Sequence, residues 1–376
     1  MIPTIPQANP KAGFLAIQDE IRAAIERVLD SGIYILGTEV EAFEQAFASS
    51  VGVMHAVAVA SGTDALVLAL RAAEIRKGDV VITVAHTAVA TVAAIELAGG
   101  RPLLIDVDDC YGMDPEQLEQ VLSSNTQIRP KAILPVHLYG QMVDRAVFDI
   151  AERHGIPVIE DCSQAHGAFH EGRQAGTCGL LSTFSFYPTK NLGALGDAGA
   201  VVTNEPDLAQ KLREWRQYGW KNGQVSISAG MNSRMDTVQA AVLRVKLDRL
   251  KQDNQERQII AAKYDTGLAA CGVEVPHLRS GAQPVFHQYV IRTAKRDLFR
   301  QRLTTKGIGT GIHYPVPVHL QPAYIGRVQL AKGGLLQTEK LANRIVSLPI
   351  YPQLTEDQTT RVVAAVNEVA AEFVLD

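Results

Sequence analysis

The stretch FSFYPTKNLGALGDAGAVVTN, residues 184–204, places Lys190 just beyond a strand and beside a glycine-rich turn. Thr183, Phe184, Ser185 and Phe186 alternate polar and apolar, the period of a strand. Pro188 ends it, because proline has no amide hydrogen to give a sheet. Gly193, Gly196 and Gly199 follow, then the apolar strand Ala200–Thr203. A loop lysine in most chains is a solvated cation. Taken out of water its pKa falls, and the free amine becomes a nucleophile able to form a Schiff base. The choice between these readings depends on a partner carboxylate, an anion cradle and a fold that brings them together.

Two further stretches offer those parts. PVIED ends an apolar strand on Asp161 and runs into CSQAHGA, although an acid at a strand end is often only a turn former. The run from His55 to Ala60 leads into SGTDALVLALRAAEI, a strand, a turn and a helix. Ser61 is a good N-cap, with Asp64 three residues on as a weaker capping box, and Gly62 admits close backbone approach. Free amides at a helix N-terminus bind anions, although taken alone this is an ordinary capped helix. Pyridoxal phosphate requires an amine for its aldehyde, a carboxylate for its pyridinium nitrogen and a cradle for its phosphate. The chain provides one of each at strand ends.

The elements that position them alternate. Helices are expected over Phe14–Leu29 and Val40–Ala48, a strand over Asp79–Val84, a helix over Ala88–Ala98 and a strand over Pro102–Val107. A helix opens at Asp114-Pro-Glu-Gln, followed by strand Lys131–His137, helix Arg145–His154 and strand Ile156–Glu160. Continuous apolar strands between helices indicate an α/β fold with a mostly parallel sheet covered on both faces. Ligands bind such sheets outside the carboxyl ends of the strands, where His86, Asp161 and Lys190 all fall. A helix over Pro206–Tyr218 and a long helical pattern from Thr237 to about Tyr264 lead into a change of composition. Strands over Val273–Val275, Val285–Thr293 and Thr310–Tyr314, with helices near Arg296–Lys306, Gln337–Val346 and Thr355–Phe373, describe a smaller α+β domain. The expected division is residues 1–245, a large cofactor-binding domain, and 246–376, a small C-terminal domain.

At 376 residues, with 47% hydrophobic and 20% charged residues, the chain has a globular composition and exceeds one typical domain. A net charge of -4 argues against a nucleic-acid partner. MIPTIPQANP has no charged segment followed by an apolar run, so no secretory leader is expected, and no apolar run is long enough to span a bilayer. Cys110, Cys162, Cys178 and Cys271 form no CxxC and read as reduced thiols of a cytoplasmic protein. His166 and His170 are four apart, but no HExxH context makes them metal ligands, so no metal is expected. Trp215 and Trp220 read as packing or interface residues.

Taken in order, GTEVEAFE, SGTDAL, PVHLYG, VIEDCSQAHGA, FSFYPTKNLGALGDAGA, NSRMDTVQAAVLRVKL and GIHYPVPVHLQPAY closely resemble the nucleotide-sugar aminotransferases of the DegT/DnrJ family. The resemblance covers nearly the whole chain and implies a fold-type I enzyme dependent on pyridoxal 5′-phosphate. It implies that Lys190 forms the Schiff base, that Asp161 pairs with the pyridine nitrogen and that Gln164 lies near the ring hydroxyl. By the same resemblance Gly62, Thr63 and Ser185 are expected to hold the phosphate and Asn232 to reach the phosphate of a neighbouring subunit, which implies a homodimer. Many members stack an aromatic side chain on the ring two residues after the position of His86. Here that residue is Ala88, so stacking is weaker, absent or supplied by another group such as His86.

The reaction so implied has two halves. Freed Lys190 is the general base as the amino group of a donor, by resemblance L-glutamate, passes to the cofactor, leaving pyridoxamine phosphate. A nucleotide-linked keto sugar then receives the amine in ping-pong order. The proline-stiffened segment with His313, Tyr314, His319 and Gln321 suits a hydroxyl-rich ligand, with Tyr34 and His86 as further lining groups. Its wording, with AHTAVAT, is similar to members that aminate carbon 3, often of a dTDP-linked 3-keto-6-deoxyhexose. Amination at carbon 4 is the alternative. A dehydrating branch with histidine for lysine is disfavoured by Lys190. A non-enzymatic cofactor-binding regulator is the alternative of another class, although the sequence shows no added DNA-binding or partner module.

Overall fold

The computed structural model describes residues 4–124 and 129–374. Residues 1–3, part of the stretch read above for a leader, lie outside it. Seven strands form the central sheet: β1 His55–Val59, β2 Val80–Val84, β3 Arg101–Ile105, β4 Pro130–Ile133, β5 Ile159–Asp161, β6 Leu181–Ser185 and β7 Gly199–Thr203. One half has the order β3-β2-β4 and the other β5-β6-β7-β1. Parallel bridges Ile133–Val158 and Val136–Asp161 join the halves. Only β7 runs against its neighbours, pairing antiparallel with β6 and β1. Its first residue, Gly199, therefore stands level with Val59 and Ser185, the last residues of β1 and β6.

The strands are rich in β-branched residues, and β2 and β7 are buried throughout, as a sheet covered on both faces requires. Alternation along β1 sends Val57 and Val59 to one face and Ala56 and Ala58 to the other. The valines meet the buried side of the helix Gly62–Ala72, including Leu66 and Leu70. The alanines make room for Phe43, Phe47, Phe184 and Phe186, whose rings meet edge to face at 5.0–5.4 Å. Such contacts add about 0.5–1.5 kcal/mol each beyond burial.

The C-terminal part has its own core, in which Tyr264, Tyr289, Phe299, Val346 and Val366 pack together. Strand β8, Tyr289–Arg292, pairs antiparallel with β10, Ile345–Leu348. Between them in sequence lies β9, Gln329–Leu330, which adds a parallel edge strand to β3. Ile5 joins this C-terminal core and bridges Ile308, so the first described residues close over the last third of the chain.

Several expected elements differ. The long helix is two, Thr237–Leu247 and Leu250–Leu268. Asp248 and Arg249 keep right-handed helical angles, so residue periodicity continues through the join and hides it. The segment Phe14–Leu29 likewise divides into Pro10–Leu15 and Gln18–Ser31. The helix expected to reach Val346 stops at Ala342, because Ile345–Leu348 pairs with β8 instead. Among the described residues no helix is long and apolar enough to cross a membrane.

Candidate active site

The carboxyl edge of the sheet opens into a cleft of about 760 Å³. The turn after β1 contributes Ser61, Gly62 and Thr63, and the segment after β2 contributes Thr87, Ala88 and Thr91. Asp161 ends β5 and Gln164 follows it, while Ser185 and Lys190 come from the end of β6 and the loop beyond. Residues more than a hundred positions apart meet because parallel strands end at one edge.

Lys190 is half-buried. Desolvation lowers its amine to about 8, with the Asp161 carboxylate pulling it back up. Its loop is tightly made. The Lys190 amide donates to the Tyr187 carbonyl at 2.8 Å, and the Ala194 amide donates to the Phe186 carbonyl at 2.7 Å. A Cβ at Gly193 would stand 2.5 Å from the Pro188 carbonyl oxygen, so glycine is required there by close backbone approach. The next side chain, Asn191, donates to Asn254 Oδ1 at 2.8 Å and to the Val285 carbonyl at 2.9 Å. Three histidines lie near the amine, His166 and His287 buried and His313 half-buried. Burial and then the charge of Lys190 lower His166 to about 3 and His313 to about 4, and move His287 well down.

Asp161 is 4% exposed. Its Oδ1 accepts the Ser163 amide at 3.1 Å and its Oδ2 accepts the Thr91 hydroxyl at 3.0 Å. Thr91 Oγ1 lies 2.9 Å from Thr87 Oγ1. The preceding residue, Glu160, points to the other side of the strand and is fully buried. It accepts the amides of Gly176, Cys178 and Gly179, the Ser182 hydroxyl and His137 Nε2, all at 2.8–3.1 Å. Burial opposes its ionisation, but His137 and the amides outweigh burial and hold its pKa below the usual value. Its oxygens lie near Cys162 Sγ and a ring nitrogen of His137, the one grouping with metal-ligand potential among the described residues, and the Glu160 oxygens and His137 Nε2 are already hydrogen-bonded.

At the turn after β1, Ser61 Oγ accepts the Asp64 amide at 3.1 Å and caps the helix Gly62–Ala72. Asp64 accepts the Ser233 hydroxyl at 2.7 Å, and Ser233 Oγ accepts the Ala60 amide at 3.1 Å. A Cβ at Gly199 would lie 2.4 Å from the Ser61 carbonyl oxygen. This fixes the helix N-terminus beside Ser185.

The remaining expected residues divide into two groups. Gln164 accepts the Tyr139 amide at 2.7 Å and donates to the Tyr314 hydroxyl at 3.2 Å, so Tyr314 meets the cleft through Gln164 and is not among its lining residues. Burial, and then Asp161, raises the Tyr314 hydroxyl to about 12. His313 Nδ1 lies 2.8 Å from Ser347 Oγ, and its carbonyl accepts the Tyr139 hydroxyl. His86 is buried away from the lining, its ring 5.8 Å from that of Tyr111 and its Nε2 2.9 Å from the Tyr139 hydroxyl. Since Tyr139 donates its one proton to His313, His86 Nε2 is the donor in that contact. Burial, then Arg292, lowers His86 to about 4.

Three others stand outside the cleft's lining. His319 is buried against Glu339, with Nε2 at 3.1 Å from Oε1. Tyr34 is exposed and its hydroxyl donates to the Leu29 carbonyl at 3.3 Å. Asn232 is exposed and accepts Arg234 Nε at 3.0 Å. His166 packs against Phe184 and Phe186 while His170 bonds to the Ser280 carbonyl, so the pair shares no site. Sequence reasoning passed over Thr87, Thr91, Ser163 and Tyr139. Thr91, a hydroxyl in the first turn of an otherwise largely apolar helix, was the available signal.

The profile of the DegT/DnrJ/EryC1/StrS aminotransferase family matches residues 15–367. The chain is 44% identical to dTDP-3-amino-3,4,6-trideoxy-alpha-D-glucose transaminase of Streptomyces venezuelae, over 97% of this chain and 96% of that one. It is 44% identical to the transaminase of the same description from Micromonospora megalomicea subsp. nigra, over 93% and 94% of the two chains. The crystal structure of S. venezuelae DesV in complex with a ketimine intermediate superposes with a TM-score of 0.93 at 44% identity, covering 98% of this chain and 99% of that one.

Proposed function

The chain belongs to the DegT/DnrJ/EryC1/StrS aminotransferase family, and from that premise we propose that it transfers the amino group of L-glutamate to carbon 3 of a nucleotide-linked 3-keto sugar. It is a pyridoxal-phosphate-dependent transaminase of fold type I. The observation that carries the substrate is the near full-length identity to two transaminases of dTDP-3-amino sugars. We take the sugar to be a dTDP-linked 3-keto-6-deoxyhexose.

The cleft fits the cofactor: a desolvated amine, a doubly hydrogen-bonded carboxylate and a capped helix N-terminus share one cavity. When bound, pyridoxal 5′-phosphate supplies the electron sink and, as pyridoxamine phosphate, carries the amino group between the two half-reactions. In our reading Gly62, Thr63 and Ser185 hold its phosphate, Asp161 keeps the pyridine nitrogen protonated and Gln164 lies by the ring hydroxyl. Ala88 borders the ring. Lys190 Nζ, once free, takes the α-proton of glutamate, and an amine near pKa 8 is well matched to that task. His313 and Tyr314 face the sugar, and His86 acts through Tyr139, whose hydroxyl it meets. We place Tyr34, His319 and Asn232 at the outer rim, Asn232 serving the neighbouring subunit of a homodimer. We divide the chain at residue 245 into a cofactor domain and a smaller domain, and we assign the protein to the cytoplasm, in keeping with its four free cysteines.

The test is turnover with glutamate and a panel of dTDP-linked 3-keto and 4-keto sugars, with the new amine located by NMR. Amination at carbon 3 is expected. An amine at carbon 4 moves the protein to the other branch, and cofactor binding without turnover of any keto sugar returns the regulator reading.

A further inference from the structure

We propose that Thr91 is a positioning residue for the reaction: its hydroxyl, backed by Thr87, holds the Asp161 carboxylate in the orientation that meets the cofactor's pyridine nitrogen. This rests on the reading of Asp161 given above. The argument begins with proton counting. A carboxylate only accepts hydrogen bonds, and a threonine hydroxyl has one proton to give. Thr91 gives its proton to Asp161 Oδ2, so in the 2.9 Å contact between the two hydroxyls Thr87 is the donor. The chain of bonds runs one way, from Thr87 through Thr91 to the carboxylate.

The terminal torsion of an aspartate is broad, so a carboxylate without anchors swings about it. Here the two oxygens are held from different elements. Oδ1 takes the Ser163 amide, a contact local to its own turn. Oδ2 takes Thr91, from the first turn of the helix Val89–Leu97 that follows β2. Thr91 is the anchor that ties Asp161 to a second element across the sheet. It suits the task, because β-branching limits its side-chain rotamers and it is fully buried. Thr87 is buried as well, and both threonines border the cleft that Asp161 faces. A hydrogen bond to a charged group in such a place is worth more than one between neutral partners.

The test compares Thr91→Val, which keeps the shape and removes the hydroxyl, with Thr91→Ser, which keeps the hydroxyl, and with Asp161→Ala. Cofactor dissociation is measured by diluting the holoenzyme, beside kcat and KM for glutamate and the thermal midpoint. Thr91→Val should release the cofactor about tenfold more readily, the scale of a lost bond to a charged group. It should lower kcat with KM little changed, and Thr91→Ser should recover most of both. Thr87→Val removes the outer donor alone and should fall between wild type and Thr91→Val, which keeps the proposal testable if Thr91→Val does not fold. Wild-type cofactor release in Thr91→Val or Thr87→Val, with release from Asp161→Ala clearly faster, overturns the role of the threonines. Wild-type release in Asp161→Ala instead overturns the reading of Asp161 on which it rests.

Discussion

Gly62→Ala tests the cradle with a single methyl group. The added Cβ would stand 2.5 Å from Ser185 Cβ and 3.1 Å from Ser185 Cα. Carbon atoms pack best at about 3.5–4.0 Å, so the gap must open by about 1 Å. No rotamer of Ser185 relieves the contact, since neither its Cβ nor its Cα moves with the side-chain torsion. The helix N-terminus and the end of β6 must therefore separate. The backbone at Gly62 does not require glycine, as it is not in the left-handed region, and alanine gains up to about 1 kcal/mol of helix propensity. That gain offsets part of the roughly 1–3 kcal/mol of overpacking, so the protein should stay folded. Ligand binding has no such offset. Hydrogen bonds fall within about 2.7–3.2 Å, and a displacement of about 1 Å removes one. A bond to a charged acceptor is worth about 1.5–3 kcal/mol, so cofactor affinity should fall between about tenfold and about 150-fold. Titration of the apoprotein with pyridoxal phosphate, followed by Lys190 Schiff-base absorbance beside a thermal melt, measures both quantities. Affinity within about twofold of wild type would refute the placement of the phosphate between Gly62 and Ser185.

Two further outcomes follow from the same cleft. The Lys190 amine has a pKa of about 8 in the folded chain against an ordinary 10.5, so the unfolded chain binds more protons between those values. Stability of the apoprotein should rise with pH across that window, and apo Lys190→Met should exceed wild type below pH 8 and lose its lead towards pH 10.5, as read by urea unfolding; a lead independent of pH would count against a desolvated amine. If Asn232 completes a neighbouring subunit's site, mixed Lys190→Ala and Asn232→Ala chains, each inactive alone, should regain activity once heterodimers are confirmed, and no recovery in confirmed heterodimers would count against shared sites.

The convergence of Lys190, Asp161 and the Ser61–Thr63 turn was legible because it needs only two inferences. Continuous apolar strands mean a parallel sheet, and parallel strands put their following residues on one edge. Ser61 as a cap was equally local, and the structure gives it the expected bond to the Asp64 amide. What escaped is tertiary. The join at Asp248–Arg249 keeps helical angles and so leaves no mark on the residue pattern. The edge strand Gln329–Leu330 is too short to show a period and is defined by its partner β3. His86 was placed correctly after β2, but nothing near it in sequence tells that Tyr139, 53 residues on, turns its ring from the cleft. Tyr139 itself holds a left-handed backbone, φ 60°, in the turn Leu138–Gly140.

Asp161 and Glu160 are neighbours on one strand with opposite surroundings, one bordering a ligand cleft and the other sealed in a five-donor hub. A shift of β5 by a single residue would exchange them, so the hub sets the strand's register as much as any pairing does. The same proximity bears on mutational screens. Scored by activity alone, losses at the two positions look alike, and a map drawn from them would enlarge the active site by a residue that never meets a ligand. Scored also by protein abundance they should part: Glu160 variants are expected to be lost with their fold, whereas, on the reading of Asp161 proposed above, its variants should accumulate as intact, idle protein.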